Sequence, residues 1–291
     1  MSELQRATRT GDVLTGMESI ESIESIESIA GSQLAVARAR QRSVVTRARS
    51  VAPLRLLAPA NPGPAAWVYQ SSLGGGFVGR DAIALDVEVA AGARLFLTSQ
   101  ASSKVYRRAV SRFRLDASIG DAGVLVAWPD PIACFAGAAF DQRQRFRIAR
   151  SAGLIAVDAW TAVRIAHGEC WAFDRLALRT ELEIDGAPVL ADAVVVSPGH
   201  GALGARMADA RAFATIVVAG DGFAGAASAI GRAVATRPAT SQPRVAASVW
   251  PWGVVVRLAA TTTEALRAAI GELIGQPVCD ALGADPFARK W

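Results

Sequence analysis

The sequence predicts a mainly β protein: stacked antiparallel sheets in a sandwich-like body, with a few helices in the C-terminal third. Three observations carry this. Runs in which apolar residues recur at every second position fill the chain from residue 33 to about 197, the period of a half-buried strand. Turn residues punctuate them at Ala91-Gly92, Gly120-Asp121, Ser151-Ala152-Gly153 and Asp185-Gly186. No helical spacing separates these runs, and strands joined without helices imply antiparallel neighbours.

Residues 18–29 are four copies of Glu-Ser-Ile. A period of three matches neither a helix face nor a strand face, so residues 1–31 read as a disordered low-complexity tail. No linker divides the rest of the chain, and residues 32–291 read as a single domain. The tail holds two arginines and six acids, net −4, which leaves +9 on the remainder and favours acidic partners.

The first strand opens with Leu34 and Val36 and continues into the alternation Arg38, Arg40, Arg42. Further strands are expected at residues 66–72, 83–89, 95–99, 105–115, 124–128, 142–148, 155–165, 170–184 and 189–197. Between the first two of these, Gly74, Gly76 and Gly79 fall in the spacing G-x-G-x-x-G, with Gly75 between. A phosphate-binding fingerprint needs a helix N-terminus behind it. Here Ile83, Leu85, Val87 and Val89 come next at alternate positions, with acids at Asp86 and Glu88. That is a strand, so Gly74, Gly75, Gly76 and Gly79 form an inter-strand turn, with Asp81 anchoring it through backbone hydrogen bonds. In the last third, residues 216–219 read as a short strand, 223–234 as an Ala/Gly-rich helix, and 245–250 with 254–258 as a hairpin around Pro251-Trp252-Gly253. Thr261-Thr262-Thr263-Glu264 reads as a capping box, Leu266, Ala269, Ile270 and Leu273 sit beyond it at helical spacing, and Pro277 ends that helix.

Composition narrows the chemistry. With 291 residues, 52% hydrophobic and 20% charged, the chain can bury a substantial core. It has no apolar run of membrane length and no charged-then-apolar leader, so a cytoplasmic protein without membrane contact is expected. Cys134, Cys170 and Cys279 are scattered and odd in number, which suits reduced, buried thiols. His167 and His200 are the only histidines, too few for a histidine-rich metal cage, although carboxylates could hold a metal loosely through oxygen and water. C-x-x-C, G-x-S-x-G and G-x-x-x-x-G-K-[ST] do not occur, and no tightly bound cofactor is expected. His167 and Glu169 read either as ordinary polar surface or as a metal-ligand or acid–base pair. The arginines at 38–49 lack interleaved aromatics or a reading helix, which argues against nucleic acid. Of 31 cationic side chains only Lys104 and Lys290 are lysines, so a compact, flexible ammonium was kept at one mid-chain position.

Four segments taken in order resemble the urease accessory protein UreD (UreH) family. Gly74-Gly75-Gly76-Phe77-Val78-Gly79-Arg80-Asp81 is similar to its glycine turn. Leu97-Thr98-Ser99-Gln100-Ala101-Ser102-Ser103-Lys104-Val105-Tyr106 is similar to its T-T-x-x-x-T-K-x-Y/F run. The Trp128-Pro129-Asp130-Pro131 stretch through Phe135 to Phe140 resembles its P-D-P segment, and residues 158–174, with Arg164, Gly168-Glu169 and Trp171-Ala172-Phe173-Asp174, resemble its D-W-x-T-S-G-R-x-A-R-G-E-x-W-x-F segment. Arg80 stands where the family often has glycine, Ala162-Val163 replace Ser-Gly, and His167 replaces Arg or Ser. A valine adopts positive φ far less readily than glycine, so the local turn at Val163 must differ.

The resemblance implies a non-catalytic scaffold for nickel insertion into apo-urease. It would bridge the urease subunits and a UreF–UreG complex, with nickel in transit through an internal route. It makes Asp130, Glu169 and Thr98 candidates for the metal or channel, each with a structural alternative as a satisfied polar group. Lys104, Tyr106, Arg164 and Asp81 become candidates for a partner-binding or structural polar face. For Lys104 and Tyr106, at the same parity of one strand, the choice is between a channel or partner face and a Lys–acid pair that sets sheet register. Phe135, Phe140, Trp160, Trp171 and Phe173 read as core. The alternatives are a β-rich hydrolase using Asp130, Glu169 and His167, and a scaffold for another metalloenzyme.

Overall fold

A computed structural model describes residues 31–238 and 240–287. The repeat tail expected over residues 1–31 lies, apart from Gly31, outside the described residues, as does Lys290. In chain order the strands are β1 (Ser32–Ala39), β2 (Arg42–Arg49), β3 (Leu54–Leu57), β4 (Ala66–Ser72), β5 (Gly76–Phe77), β6 (Ala82–Val89), β7 (Arg94–Ser99), β8 (Lys104–Val105), β9 (Ser111–Ile119), β10 (Val124–Ala127), β11 (Ile132–Cys134), β12 (Ala139–Ile148), β13 (Gly153–Thr161), β14 (Arg175–Ile184), β15 (Ala187–Val196), β16 (Ala212–Ala219), β17 (Arg244–Trp250) and β18 (Gly253–Ala260). Among the described residues three α-helices lie in the last third: α1 (Leu203–Met207), α2 (Ala224–Ala235) and α3 (Thr263–Leu282).

The protein is mostly β with a few late helices, as expected, but its sheets are not those of an antiparallel sandwich. From β4 to β14 the chain alternates between two sheets. β4, β7, β10 and β13 pair in parallel in one, and β6, β9, β12 and β14 pair in parallel in the other. The result is a β-solenoid-like coil. The antiparallel expectation failed for a physical reason: a parallel pair needs a crossover, and here the crossover is a strand of the opposite sheet rather than a helix. Antiparallel pairing is confined to the flanks, where β2 joins β1, β15 joins β14, β3 joins β4, and β16, β18 and β17 extend from β13. The full order is β15-β14-β12-β9-β6-β1-β2 in the seven-stranded sheet and β17-β18-β16-β13-β10-β7-β4-β3 along the eleven-stranded one.

Parallel register stacks like positions into rows. Val68, Leu97, Ala127 and Ala156 form one row facing the opposite sheet, and Leu85 and Leu115 continue a facing row. Leu85, Leu95, Leu97, Leu125 and Leu154 are fully buried, each stabilising the fold by about 2 kcal/mol. A second core, with Trp67, Phe96, Ile155 and Ile216, lies on the other face of the eleven-stranded sheet, under Ile230 of α2 and Leu266, Ile270 and Ile274 of α3. Layer order is therefore sheet, sheet, helices.

Three local expectations shift. The N-cap of α3 is Thr262, whose side chain accepts from the Ala265 amide at 3.0 Å, one residue beyond the start of the expected capping box. Pro277 lies inside α3 instead of ending it. The ring removes one backbone donor, but Val278 and Leu282 beyond it are buried and Gly283 closes the helix in the left-handed conformation with its amide on the Cys279 carbonyl. The strand expected over residues 105–115 is also interrupted between β8 and β9. No helix among the described residues is long and apolar enough to cross a membrane.

Candidate functional site

The coil has two unlike ends. At one, short turns at residues 90–93, 120–123 and 149–152 return the chain from the seven-stranded to the eleven-stranded sheet. At the other, the return connections are residues 73–81, 100–110, 128–138 and 162–174. These long loops contain most of the four family-like segments, so parallel winding collects residues scattered over a hundred positions at one end. The short strands β5, β8, β11 pair in parallel there and dock on β13.

The glycine turn joins strand to strand, with positive φ at Gly74, Gly75, Gly76 and Gly79. Gly76 tolerates nothing larger, because a Cβ there would stand 2.2 Å from the Lys104 carbonyl oxygen. The Asp81 carboxylate accepts from the Val78 amide at 2.8 Å and closes the turn; Arg80 is exposed beside it. Thr98 is buried on β7 and donates to the Trp128 carbonyl at 2.7 Å. Its neighbour Ser99 accepts from the Asp130 amide at 2.7 Å and donates to the Asp130 carboxylate at 3.2 Å. Two adjacent hydroxyls thus clamp the Pro-Asp-Pro corner. Lys104 is exposed, and no ion pair to it occurs among the described residues, so the expected Lys–acid pair is not formed. Tyr106 is half-buried and stacks on Phe135, ring centroids 5.2 Å apart. Phe135 is half-buried too, whereas Phe140, Trp160, Trp171 and Phe173 are core residues.

In the fourth loop, Arg164 pairs with Glu169 at 2.8 Å and His167 is exposed. The positive φ in this loop falls on Arg164, Gly168 and Trp171, so Val163 is spared the conformation that made its replacement of glycine awkward. Trp171 is buried against Trp160 and Phe173 and donates to the Ala210 carbonyl at 3.3 Å.

Beneath these loops, between the sheets, lies a cavity of about 220 Å³. Its polar lining includes Gln70, Ser99, Asp130, Gln142, Gln144 and Asp158. Gln142 and Gln144 occupy inward positions of β12 that register with Phe113 and Leu115 of β9, where apolar side chains would be the rule. Gln142 donates to the Asp158 carboxylate at 2.9 Å. Burial pushes the Asp158 carboxyl up to about 6; hydrogen bonds from Gln142 and Gln144 pull against this, and the charge of Asp192 adds to it. Burial, then the charge of Asp130, also raises the Tyr69 phenol. A second cavity of about 180 Å³ opens between the Trp128–Pro131 corner and α3, lined by Thr263, Leu266, Arg267 and Ile270. Asp130 and Ala159 line both. Burial alone raises the Cys134 thiol to about 12, so it stays protonated.

The structure sets Asp130 in the cavity lining and ties Thr98 to the same corner through the Trp128 carbonyl, but Thr98, Glu169 and His167 are not among the lining residues, and Asp130, Glu169 and His167 do not assemble into one catalytic group. Among the described residues no three or more His, Cys, Asp or Glu side chains are grouped to hold a metal ion. Sequence reasoning missed Gln142, Gln144 and Asp158. Their signal was two glutamines at the inward parity of β12 and one acid within the otherwise apolar run of β13.

Fold and site define a β-solenoid-like protein with a cavity of mixed polar and apolar lining under one set of loops. The family model described as UreD urease accessory protein matches residues 29–291. Similar proteins include the urease accessory protein UreD of Sorangium cellulosum strain So ce56, 45% identical over 272 residues, covering 90% of this chain and 85% of that one. The UreD of Anaeromyxobacter sp. strain Fw109-5 is 40% identical over 259 residues and 87% of each chain. Urease accessory protein D of Arabidopsis thaliana is 35% identical over 153 residues, about half of each. The chain belongs to the UreD family of urease accessory proteins.

Proposed function

We propose that this chain is a non-catalytic scaffold of urease maturation, acting in the cytoplasm on apo-urease together with UreF and, through it, UreG. Nickel is its cargo and not a resident cofactor. The observation that carries the role is the family match across residues 29–291. Family membership and the cavity, which sets a few polar groups in a largely apolar wall, together support the transit reading. Its oxygen donors, Asp130, Asp158 and the two glutamines, suit an ion that must be released again better than a nitrogen and sulfur cage would. The rim of the loop end, with Lys104, Tyr106 and the Arg164–Glu169 pair, is then a partner-facing surface, while Thr98 holds the Trp128 carbonyl at the cavity wall.

The experiment is complementation. A strain carrying the urease genes but lacking this one should yield nickel-poor, inactive urease, and restoring the full chain should restore both nickel content and activity. Urease that reaches full nickel content without the chain would overturn the proposal.

A further inference from the structure

Residues 31–66 contain six arginines, no lysine, no acid and no aromatic residue. The fold places them along one border of the molecule. Arg42, Arg47 and Arg49 lie on β2 and Arg38 on β1, Arg40 sits in the turn between them, and Arg55 lies on β3. β2 ends the seven-stranded sheet and β3 ends the eleven-stranded one, and the Leu56 amide of β3 donates to Ser50 just past β2 at 3.0 Å. Two end strands therefore meet at one seam. The outward amides of β3 are taken by the Val51 carbonyl and Ser50, and the Ser43 amide of β2 donates to the Pro64 carbonyl at 2.6 Å. The edge offered to a further strand is therefore that of β2 beyond Ser43, a strand about 23 Å long in all.

All six arginines are exposed, and among the described residues none forms an ion pair. Arg38 and Arg42 donate to the carbonyls of Arg40 and Asn61, at 3.1 and 2.8 Å. Arg47 borders a surface depression shared with Asp86 and Glu88 without pairing to either. Several arginines elsewhere pair with carboxylates: Arg114 with Asp86, Arg175 with Asp141, Arg179 with Glu181, Arg244 with Asp209, Arg257 with Asp192. The six form one contiguous strip of exposed guanidinium groups on a single border of the molecule.

We propose that this arginine seam is a docking surface for an acidic, extended segment of a protein partner in the maturation assembly, an inference that rests on the accessory reading above. Guanidinium forks recognise carboxylates in bidentate geometry. An open strand edge accepts a further extended chain through main-chain hydrogen bonds. The absence of aromatic residues argues against single-stranded nucleic acid, which stacks its bases on such rings.

The test uses the full chain with Arg47→Glu, Arg49→Glu and Arg55→Glu combined, and a second variant with glutamine at the same three positions; among the described residues these side chains make no hydrogen bonds. Association with purified apo-urease and with purified UreF is followed by stopped flow at low and high salt. Circular dichroism controls the fold. For one of the two partners the association rate should fall roughly tenfold in the glutamate variant, less in the glutamine variant, and lose its salt dependence. Unchanged association with both partners would overturn the proposal. So would nucleic acid that co-purifies with the wild type and is lost in the variants without any change in protein binding. Tighter association after removal of residues 1–30 that the glutamate variant no longer shows would assign the seam to this chain's own acidic segment instead. Complementation by the wild type runs in parallel. Its failure would remove the maturation role itself, whereas normal activation with unaltered binding in the variants removes only the seam.

Discussion

Replacing Asp158 with asparagine should make the protein more stable at neutral pH and slightly less stable in acid. The carboxyl is raised from an ordinary 3.8 to about 6 by burial. A group whose folded value lies above its unfolded one contributes most below the unfolded value and loses that contribution as pH rises through the folded value. The wild type therefore loses stability between about pH 4 and pH 7 as it is forced to hold a buried charge. A difference of roughly 2 units corresponds to about 3 kcal/mol. Asparagine keeps an acceptor for the Gln142 amide, which donates at 2.9 Å, but offers fewer acceptor sites than a carboxylate; losing one hydrogen bond costs about 1 kcal/mol. The variant should then be about 2 kcal/mol more stable at pH 8 and about 1 kcal/mol less stable at pH 4. For a chain of this size that corresponds to roughly 4 °C up and 2 °C down in Tm. Thermal unfolding followed by circular dichroism across pH 4–8 measures it. A Tm difference that does not change with pH would refute the burial argument, as would a variant less stable than wild type throughout.

Single contacts give further expectations. Gly76→Ala should cost more than 3 kcal/mol, because its Cβ meets the Lys104 carbonyl. Gly75→Ala, with open space around its Cβ, should cost only about 1 kcal/mol for its positive φ; equal costs in urea denaturation would show that the close approach is not what requires glycine. Burial raises the Glu181 carboxyl, but the hydrogen bonds and charges of Arg143 and Arg179 outweigh it and hold the group below its ordinary 4.5. Its stabilisation is present above pH 4.5 and disappears as pH falls through the lowered value. Glu181→Ala should cost about 2 kcal/mol at pH 7, below the figure for a fully buried pair because the cluster keeps some contact with water, and the difference should shrink in acid. Deleting residues 1–30 should leave urease activation intact in the complementation strain; abolished activation would give the Glu-Ser-Ile repeats a role.

Much of the strand pattern was legible because period two survives burial on one face, as in the alternation of β6. Strand direction was not. Alternation carries no sign, so a coil and a meander read alike, and only the absence of helices favoured antiparallel pairing. The hairpin of β17 and β18 was read correctly because its turn residues are local. Pro277 misled because a proline's local cost was weighed without the buried Val278 and Leu282 that outweigh it. At the site, the glycine turn and the Pro-Asp-Pro corner could be found because backbone constraints leave a residue signature. The cavity wall could not, since Gln142, Gln144 and Asp158 are isolated polar residues whose common destination depends on pairing two sheets.

The coil also determines how the chain can reach its folded state. Leu95 pairs with Leu125, and Leu125 with Leu154, so nearest neighbours within a sheet are a full winding apart. Such contacts require loop closure before they stabilise anything, which makes folding slow. Each winding completes the burial of the one before it, leaving a fresh unpaired strand at the growing end until the next arrives. The antiparallel strands β15 and β16 through β18 close the last windings, so a chain truncated before residue 175 would present an open, apolar growing edge and should aggregate instead of accumulating as a shorter folded coil.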